Sequence, residues 1–165
     1  IYDSKKAPSG AQKKIRMAKR YFQGYFKPRN PQKYKGDASN IIYRSSWELK
    51  LMMWMDANPD VLQYSSEEIS IPYESPIDGR WHRYFPDFLA KVRDASGRTK
   101  TVLIEVKPEK ETRPPKQKKV ITKAYLNEVA TWGVNSAKWA AAEEYCKDRG
   151  WEFYKMTERN LGIKR

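Results

Sequence analysis

The sequence LIEVKPEK, residues 103–110, begins as a run of strand-forming apolar residues and turns polar at Pro108. Within the run, Glu105 and Lys107 bracket a single valine. A buried strand has little reason to hold two such charges, because burying a charge costs free energy unless it is paired. The stretch therefore predicts a core strand that also carries a binding site.

A second strand-forming segment, YFPDFLAKVR at 84–93, precedes the full strand TKTVLIEVK at 99–107. The turn DASG at 94–97 separates them. Gly97 is placed to adopt the left-handed conformation that such a turn requires. These features predict a β-hairpin.

The register of this hairpin determines where its charges lie. If opposed residue numbers sum to about 192, the apolar side chains of the two strands share one face. The same register places Asp87 opposite Glu105, with Cβ atoms about 4.5–5.5 Å apart, and Lys107 on the same face two positions later. The shared apolar set is Phe88, Ala90, Val92, Val102, Ile104 and Val106.

Two opposed carboxylates repel each other, so either a pKa rises or a cation lies between them. Hard oxygen ligands suit Mg²⁺ or Mn²⁺, and an adjacent lysine can hold an attacking water and neutralise a phosphate. The alternative is that Asp87, Glu105 and Lys107 form cross-strand salt bridges on an exposed sheet face. Pro86, which would distort a regular ladder, and the apolar flanks favour a site.

Glu48 lies on a helix predicted from Ser45 to Ala57 and has two possible roles. Ser45 and Glu48 have the spacing of a capping box, in which the serine caps the helix and the glutamate reaches back to the Ser45 amide. The same carboxylate can instead complete a site with Asp87 and Glu105. Both roles compete for one side chain, and the sequence leaves both open.

The remaining patterns predict a mixed α/β (α+β) fold, ordered as helix, three antiparallel strands, two helices and a strand. The first of the three strands is EISIPY, and the last strand of the chain is WEFYKM. The predicted elements outside the hairpin are a basic helix at 11–22, strands at 68–73 and 151–156, and helices at about 122–132 and 136–149, the second beginning at Asn135 or Ser136 and ending at Gly150.

The composition limits the available chemistry. A chain of 165 residues with 39% apolar content suits one domain with an appended segment. Cys146 and His82 are the only cysteine and the only histidine, which argues against zinc sites and Ser-His catalysis. No segment has the pattern of a membrane span or signal peptide, so we expect a soluble protein that does not act on a membrane.

The net charge of +13 is concentrated near the N-terminus. Residues 1–36 hold eleven lysines and arginines against one acidic residue, whereas residues 37–165 hold 22 against 19. We therefore predict a basic arm and linker over 1–40, with the linker at 23–40, and a folded domain over 41–165. The arm suits DNA phosphates, although a solvated tail or a protein-docking segment has a similar composition. Its candidate DNA-binding residues are Lys13, Lys14, Arg16, Lys19 and Arg20.

The order of the charged residues resembles the motif of the PD-(D/E)XK nuclease superfamily. A helical Glu48 comes first, Pro86-Asp87 follows, and Glu105–Lys107 comes last on the hairpin. The superfamily core of helix, three strands, helix and strand also resembles the predicted order, with one extra helix here. The wider context is similar to the head-completion nucleases of T-even-like tailed bacteriophages. The stretches that carry this similarity are KYKGD (33–37), YRSSWE (43–48), IPY (71–73), RYFPDF (83–88), IEVKPEKET (104–112) and the NEV to VNSAKW region (127–139).

The resemblance implies a role for each motif residue. Asp87 and Glu105 bind Mg²⁺ or Mn²⁺, and Lys107 positions the nucleophilic water. Glu48 is a further metal ligand, directly or through water. Candidates for phosphate contacts or for the edge of the site are Arg44, Ser45, Glu67 and Arg83.

The resemblance further implies hydrolysis of DNA phosphodiester bonds, leaving a 5′-phosphate and a 3′-hydroxyl, in completion of the packaged phage head. We expect DNA and head or neck proteins of the portal or connector type as partners. The expected location is the host cytoplasm during assembly, or the head or neck of the virion. Two alternatives are a structural head or neck component that binds DNA or portal-type proteins through a nuclease fold, and a recombination or repair nuclease.

Overall fold

The computed structural model describes residues 23–163. Two short 3-10 helices, Pro31–Lys33 and Glu109–Thr112, accompany the regular elements. In chain order the strands and helices are β1 (Gly24–Phe26), β2 (Ile41–Tyr43), α1 (Ser46–Ala57), β3 (Val61–Ser66), β4 (Ile71–Glu74), β5 (Trp81–Tyr84), β6 (Phe88–Arg93), β7 (Thr99–Val106), α2 (Lys123–Arg149) and β8 (Glu152–Met156).

The central sheet has four strands in the order β3-β6-β7-β8. The first three are antiparallel, and β8 runs parallel to β7 because the long helix α2 connects them across the sheet. Phe88 pairs with Ile104 and Ala90 with Val102, which confirms the predicted hairpin register. Gly97 has a φ angle of +80°, as the predicted turn requires.

Both faces of this sheet are covered, so β7 is buried from Val102 to Glu105. On one face, Phe88 and Ile104 pack with Met52 and Met55 of α1. On the other face, Leu103 packs with Trp139 of α2. A charged residue in β7 therefore lies among apolar side chains, which is the environment inferred from the LIEVKPEK stretch.

The strand prediction before the hairpin needs correction. The first strand of the central sheet is β3, whereas β4, the predicted first strand, pairs with β5 in a separate two-stranded sheet. The segment 84–93 is also not one strand, because it breaks at residues 85–87 between β5 and β6. Pro86, which is buried and has no backbone N–H to donate, lies in this break, so the distortion predicted there is confirmed.

The two predicted helices are a single helix of 27 residues, α2. Its N-cap is Thr122, whose hydroxyl accepts from the Tyr125 amide at 3.1 Å, and Gly150 ends it with φ +68°. The prediction that Asn135 or Ser136 starts a second helix is wrong. A glycine such as Gly133 inside a helix costs only about 1 kcal/mol, which packing on either side offsets. In residues 23–163 no helix has the length and hydropathy needed to cross a membrane.

The prediction of a linker at 23–40 also needs correction, because residues 24–40 fold onto the domain. Strand β1 pairs with β2, and Tyr34 is buried in the core beside α1. The Asp56 carboxylate accepts from the amides of Arg29 at 2.9 Å and Asn30 at 3.2 Å. Lys33 Nζ donates to three carbonyl oxygens at the end of α1, at 2.7, 2.9 and 2.8 Å. These contacts fasten the segment to the C-terminal end of α1, where a cation is favoured.

Residues 1–22 lie outside the described residues. The predicted basic helix at 11–22 and the five candidate DNA-binding residues of the arm fall in this stretch. Their roles, and the division of the chain into a basic arm and a folded domain, stay predictions.

Candidate active site

Asp87 and Glu105 face each other at the ends of the two central strands. Asp87 immediately precedes β6, and the β6–β7 register continued by one pair sets it opposite Glu105. Asp87 Oδ2 accepts a hydrogen bond from the Val106 amide at 2.7 Å, and its carbonyl oxygen accepts from the Glu67 amide at 3.0 Å. Glu105 is only 8% exposed. The backbone of both neighbouring strands thus holds one carboxylate against a second, buried one.

The electrostatics of this pair are unfavourable when both groups are ionised. Burial, and then the charge of Glu105, raise the pKa of Asp87 to about 8, although the Val106 amide and Lys107 oppose the shift. Burial also raises the pKa of Glu105, against the opposing effects of Tyr84 and Lys107. Such a pair holds a proton near neutral pH unless a cation replaces it.

Tyr84 and Lys107 contact opposite oxygens of the Glu105 carboxylate. The Tyr84 hydroxyl donates to Oε2 at 2.7 Å, and Lys107 Nζ lies 3.6 Å from Oε1. Burial and the Glu105 charge raise the pKa of Tyr84, so this hydroxyl remains a donor. Lys107 follows the end of β7 but stays aligned with the sheet, because its amide donates to the Met156 carbonyl at 2.9 Å.

Glu48 performs part of the predicted capping box. Ser45 is the N-cap of α1, and its hydroxyl accepts from the Glu48 amide at 3.1 Å. The Glu48 carboxylate accepts from the Arg44 amide at 2.9 Å, not from the Ser45 amide as the capping-box prediction requires. Its negative charge nevertheless contributes to the raised pKa of Asp87. The carboxylate therefore caps the helix at the edge of the Asp87–Glu105 pair.

The remaining predicted edge residues divide into two groups. Arg44 forms an ion pair with Glu67, which raises the pKa of the Arg44 guanidinium. The charges of Glu48 and Asp87 add to this rise. Glu67 is the one non-glycine residue within 23–163 that has a positive φ, at 54°. Backbone in this region is costly for a glutamate and is concentrated at functional sites. Arg83 belongs to a different element, on the exposed side of β5 opposite Pro72.

Two lysines near Glu105 were missed by the sequence interpretation. Lys155 pairs with Glu105 in the parallel β7–β8 register, and its Nζ lies 4.5 Å from the Trp139 ring centre. Lys138 of α2 lies 5.6 Å from the Tyr84 ring centre, and its charge lowers the pKa of Glu105. The sequence contains no signal for either, because their position depends on how α2 and β8 pack against β7.

Asp87 and Glu105 are the side chains of this site that could hold a divalent metal. Within residues 23–163, no three side chains of the Asp, Glu, His and Cys types are grouped as a metal centre. Asp87 and Glu105 alone supply hard oxygen atoms and an excess of negative charge. This pair fits Mg²⁺ or Mn²⁺, which keep several waters and are held by one or two carboxylates together with substrate phosphate oxygens.

The site consists of two opposed carboxylates and a lysine on a β-hairpin, and the sheet that holds this hairpin is covered by helices on both faces. These features define a PD-(D/E)XK-type nuclease. The family model described as TnsA-like endonuclease N terminal matches residues 58–158, and the chain belongs to this endonuclease family. The matched region contains Asp87, Glu105 and Lys107 but not Glu48. The protein is accordingly a DNA endonuclease, a hydrolase of phosphodiester bonds.

The head completion nuclease of Enterobacteria phage T4 is a similar protein at the level of the whole chain. The two are 41% identical over 150 residues, which cover 87% of this chain and 97% of the relative. The resemblance inferred from the separate motifs is therefore confirmed.

Proposed function

We propose that this endonuclease is Mg²⁺-dependent and cleaves DNA during completion of a phage head after packaging, with Asp87, Glu105 and Lys107 as its catalytic residues. The observation that carries the proposal is the opposition of two carboxylates beside one lysine. Two like charges in such a place destabilise the fold, so a structural role alone gives no reason for them.

Asp87 and Glu105 would hold the ion, and Glu48 would contribute at its edge through water. The bound ion supplies positive charge that neutralises the phosphate and favours hydroxide at neutral pH. Lys107, at 3.6 Å from Glu105, holds the attacking water in line with the phosphorus and donates to the phosphate. Tyr84 keeps Glu105 in one orientation through its 2.7 Å hydrogen bond. The products carry a 5′-phosphate and a 3′-hydroxyl.

The substrate backbone is bound by cations around this centre. Arg44 and Ser45 contact phosphate on the α1 side, and Arg83 contacts it on the β5 side. Lys138 and Lys155 add positive charge beside Glu105. The basic arm of residues 1–22 increases affinity without selecting sequence, because phosphate contacts carry no base identity.

The role in head completion rests on the name of the phage T4 relative and on the extent of the similarity. We propose that its partners are head or neck proteins of the phage. We also propose that it acts in the host cytoplasm during assembly and associates with the head or neck of the particle. The alternative role for the same activity is that of a recombination or repair nuclease.

Plasmid cleavage at low salt with Mg²⁺ tests the catalytic proposal. Wild type should cut, whereas Asp87→Asn and Lys107→Ala should bind DNA without cutting. The exposed Asp148 and Lys91 provide matched controls, and Asp148→Asn and Lys91→Ala should cut at the wild-type rate. Cleavage that needs neither Mg²⁺ nor Mn²⁺, or cleavage at the wild-type rate by Asp87→Asn and Lys107→Ala, would overturn the proposal.

A further inference from the structure

The hairpin formed by β4 and β5 has one buried face and one exposed face. On the buried face, Ile71 and Tyr84 pair and pack into the core together with Trp139. On the exposed face, Trp81 lies at the start of β5 with 71% of its surface accessible, and Arg83 follows two positions later. An exposed tryptophan is unusual, because a folded protein gains most by burying it.

The chain leads from this hairpin directly to the reacting centre. Phe85, the first residue after β5, is 49% exposed and lies in the break at 85–87 that separates β5 from β6. Asp87 is the last residue of this break. Tyr84, the last residue of β5, is buried, and its hydroxyl donates to Glu105. The exposed Trp81, Arg83 and Phe85 therefore lie on the segment of chain that leads into the carboxylate pair.

The charges on the exposed face of the hairpin suit an anionic ligand at the end that leads to Asp87. Glu74 is the acidic residue on the exposed face of β4, and it pairs with Trp81 at the end farther from Asp87. Arg83 lies between Trp81 and Phe85 in the sequence, and it pairs with the uncharged Pro72. The carboxylate of Asp78, at the hairpin tip, already has two partners. Its Oδ2 lies 2.8 Å from His82 Nε2, and its Oδ1 accepts from the Arg80 amide at 3.0 Å.

We propose that Trp81, Arg83 and Phe85 form a binding track for unpaired nucleotides, and that the preferred substrate is DNA with a single-stranded segment next to the cleaved bond. This inference rests on the proposed function. Aromatic side chains stack on bases of any sequence, and the arginine between them in the sequence binds the phosphate between two such bases. The bases of an intact duplex are stacked on each other, so their faces are not available to Trp81 and Phe85.

Fluorescence anisotropy of labelled oligonucleotides tests the track without requiring cleavage. The full chain is titrated, in EDTA and again in Ca²⁺, against a single strand, a duplex with a single-stranded flap, and a fully paired duplex. Trp81→Ala and Phe85→Ala should weaken binding of the single strand and the flap by about 5- to 100-fold each, and leave duplex binding unchanged. Trp54→Ala is the matched control, because Trp54 is 51% exposed on α1 and packs on the other face of the sheet, and it should change nothing.

Conservative variants separate base stacking from apolar packing against a protein. Trp81→Phe should retain most of the affinity for single strands, whereas Trp81→Leu should lose it as fully as Trp81→Ala. Arg83→Gln should weaken binding and reduce its dependence on salt concentration. Full retention by Trp81→Leu would overturn the proposal and assign this face to a protein partner.

The track and the catalytic proposal fail in different ways. If wild type cuts fully paired and flapped DNA equally well, and the alanine variants bind every oligonucleotide as wild type does, the track is wrong and the endonuclease proposal stands. If binding depends on Trp81 and Phe85 but Mg²⁺ supports no cleavage, the track stands and the catalytic proposal is wrong.

Discussion

The hydroxyl of Tyr84 donates a 2.7 Å hydrogen bond to the carboxylate of Glu105, and this contact joins the β4–β5 hairpin to the central sheet. Tyr84 ends β5, and Glu105 lies near the end of β7. The two elements belong to different sheets, and this hydrogen bond is a polar link between them. Movement of the hairpin therefore acts directly on a proposed metal ligand.

Tyr84→Phe should weaken metal binding without destroying the fold. It leaves one buried oxygen of Glu105 without its donor, which costs about 1–3 kcal/mol of unfolding free energy. Loss of a hydrogen bond that orients a ligand typically lowers metal affinity or activity about 10- to 100-fold. The cleavage rate should reach half its maximum at a higher Mg²⁺ concentration. Tyr154→Phe, which removes an exposed 2.6 Å hydrogen bond to Glu152, should leave the Mg²⁺ dependence unchanged; an equal shift in both variants would contradict the role of Tyr84.

Asp87→Asn should make the metal-free protein more stable at alkaline pH. The folded-state pKa of Asp87 is raised from 3.8 to about 8, so the folded state binds the extra proton between these values. Wild-type stability should therefore fall as pH rises from about 4 to about 8. The asparagine variant lacks this dependence and should be about 1–3 kcal/mol more stable at pH 8 in EDTA. Denaturant unfolding across this pH range measures the difference.

Added Mg²⁺ provides the complementary measurement for the same variant. Metal that binds only the folded state should stabilise wild type and leave Asp87→Asn unchanged. Asp148→Asn, at an exposed position of α2, should behave as wild type in both titrations. A variant that is no more stable than wild type at pH 8 would mean that Asp87 carries no electrostatic cost.

The two roles of the α1 N-terminus should separate by substitution. Ser45→Ala removes the hydroxyl that caps the Glu48 amide and should cost about 0.5–2 kcal/mol of stability. Glu48→Gln keeps an oxygen that can accept from the Arg44 amide, so its stability should change by less than about 0.5 kcal/mol. The cleavage rate at saturating Mg²⁺ should nevertheless fall at least tenfold for Glu48→Gln. Wild-type activity in this variant would restrict Glu48 to capping.

Lys138→Gln should weaken DNA binding and slow cleavage together. The lysine lies near Tyr84 and Glu105, where its charge is available to a phosphate. Loss of one phosphate contact should reduce the slope of log affinity against log salt concentration by about one. Lys147→Gln, at an exposed position of α2, is the matched control. An unchanged slope would show that Lys138 serves the protein and not the substrate.

Replacing the five candidate DNA-binding residues of the arm by glutamine should lower affinity for every DNA substrate to a similar degree. These residues are Lys13, Lys14, Arg16, Lys19 and Arg20. Five neutralised contacts correspond to a salt slope reduced by about four to five for duplex DNA. The cleavage rate at saturating DNA should remain at the wild-type value. A selective loss for one substrate, or none at all, would point to the docking or solvated-tail alternative for the arm.

Much of the site could be predicted because its determinants are local in the chain. Alternation of apolar and polar residues specifies which side of a strand is buried, and the Gly97 turn restricts the register between neighbouring strands. Together these two features were sufficient to set Asp87 opposite Glu105. The Ser45 cap and the Gly150 end of α2 were predicted for the same reason, since capping acts within one helical turn.

Other features depended on residues far apart in the chain. The charged hairpin, the capped helix ends and the nuclease motif arise from neighbours along the chain and are therefore legible in the sequence. Contacts between distant segments, in contrast, make β4 leave the central sheet to pair with β5, let α2 continue through Gly133, and bring Lys138 and Lys155 beside Glu105. These contacts prevail because burial of apolar surface between distant segments outweighs local preferences of about 1 kcal/mol per residue.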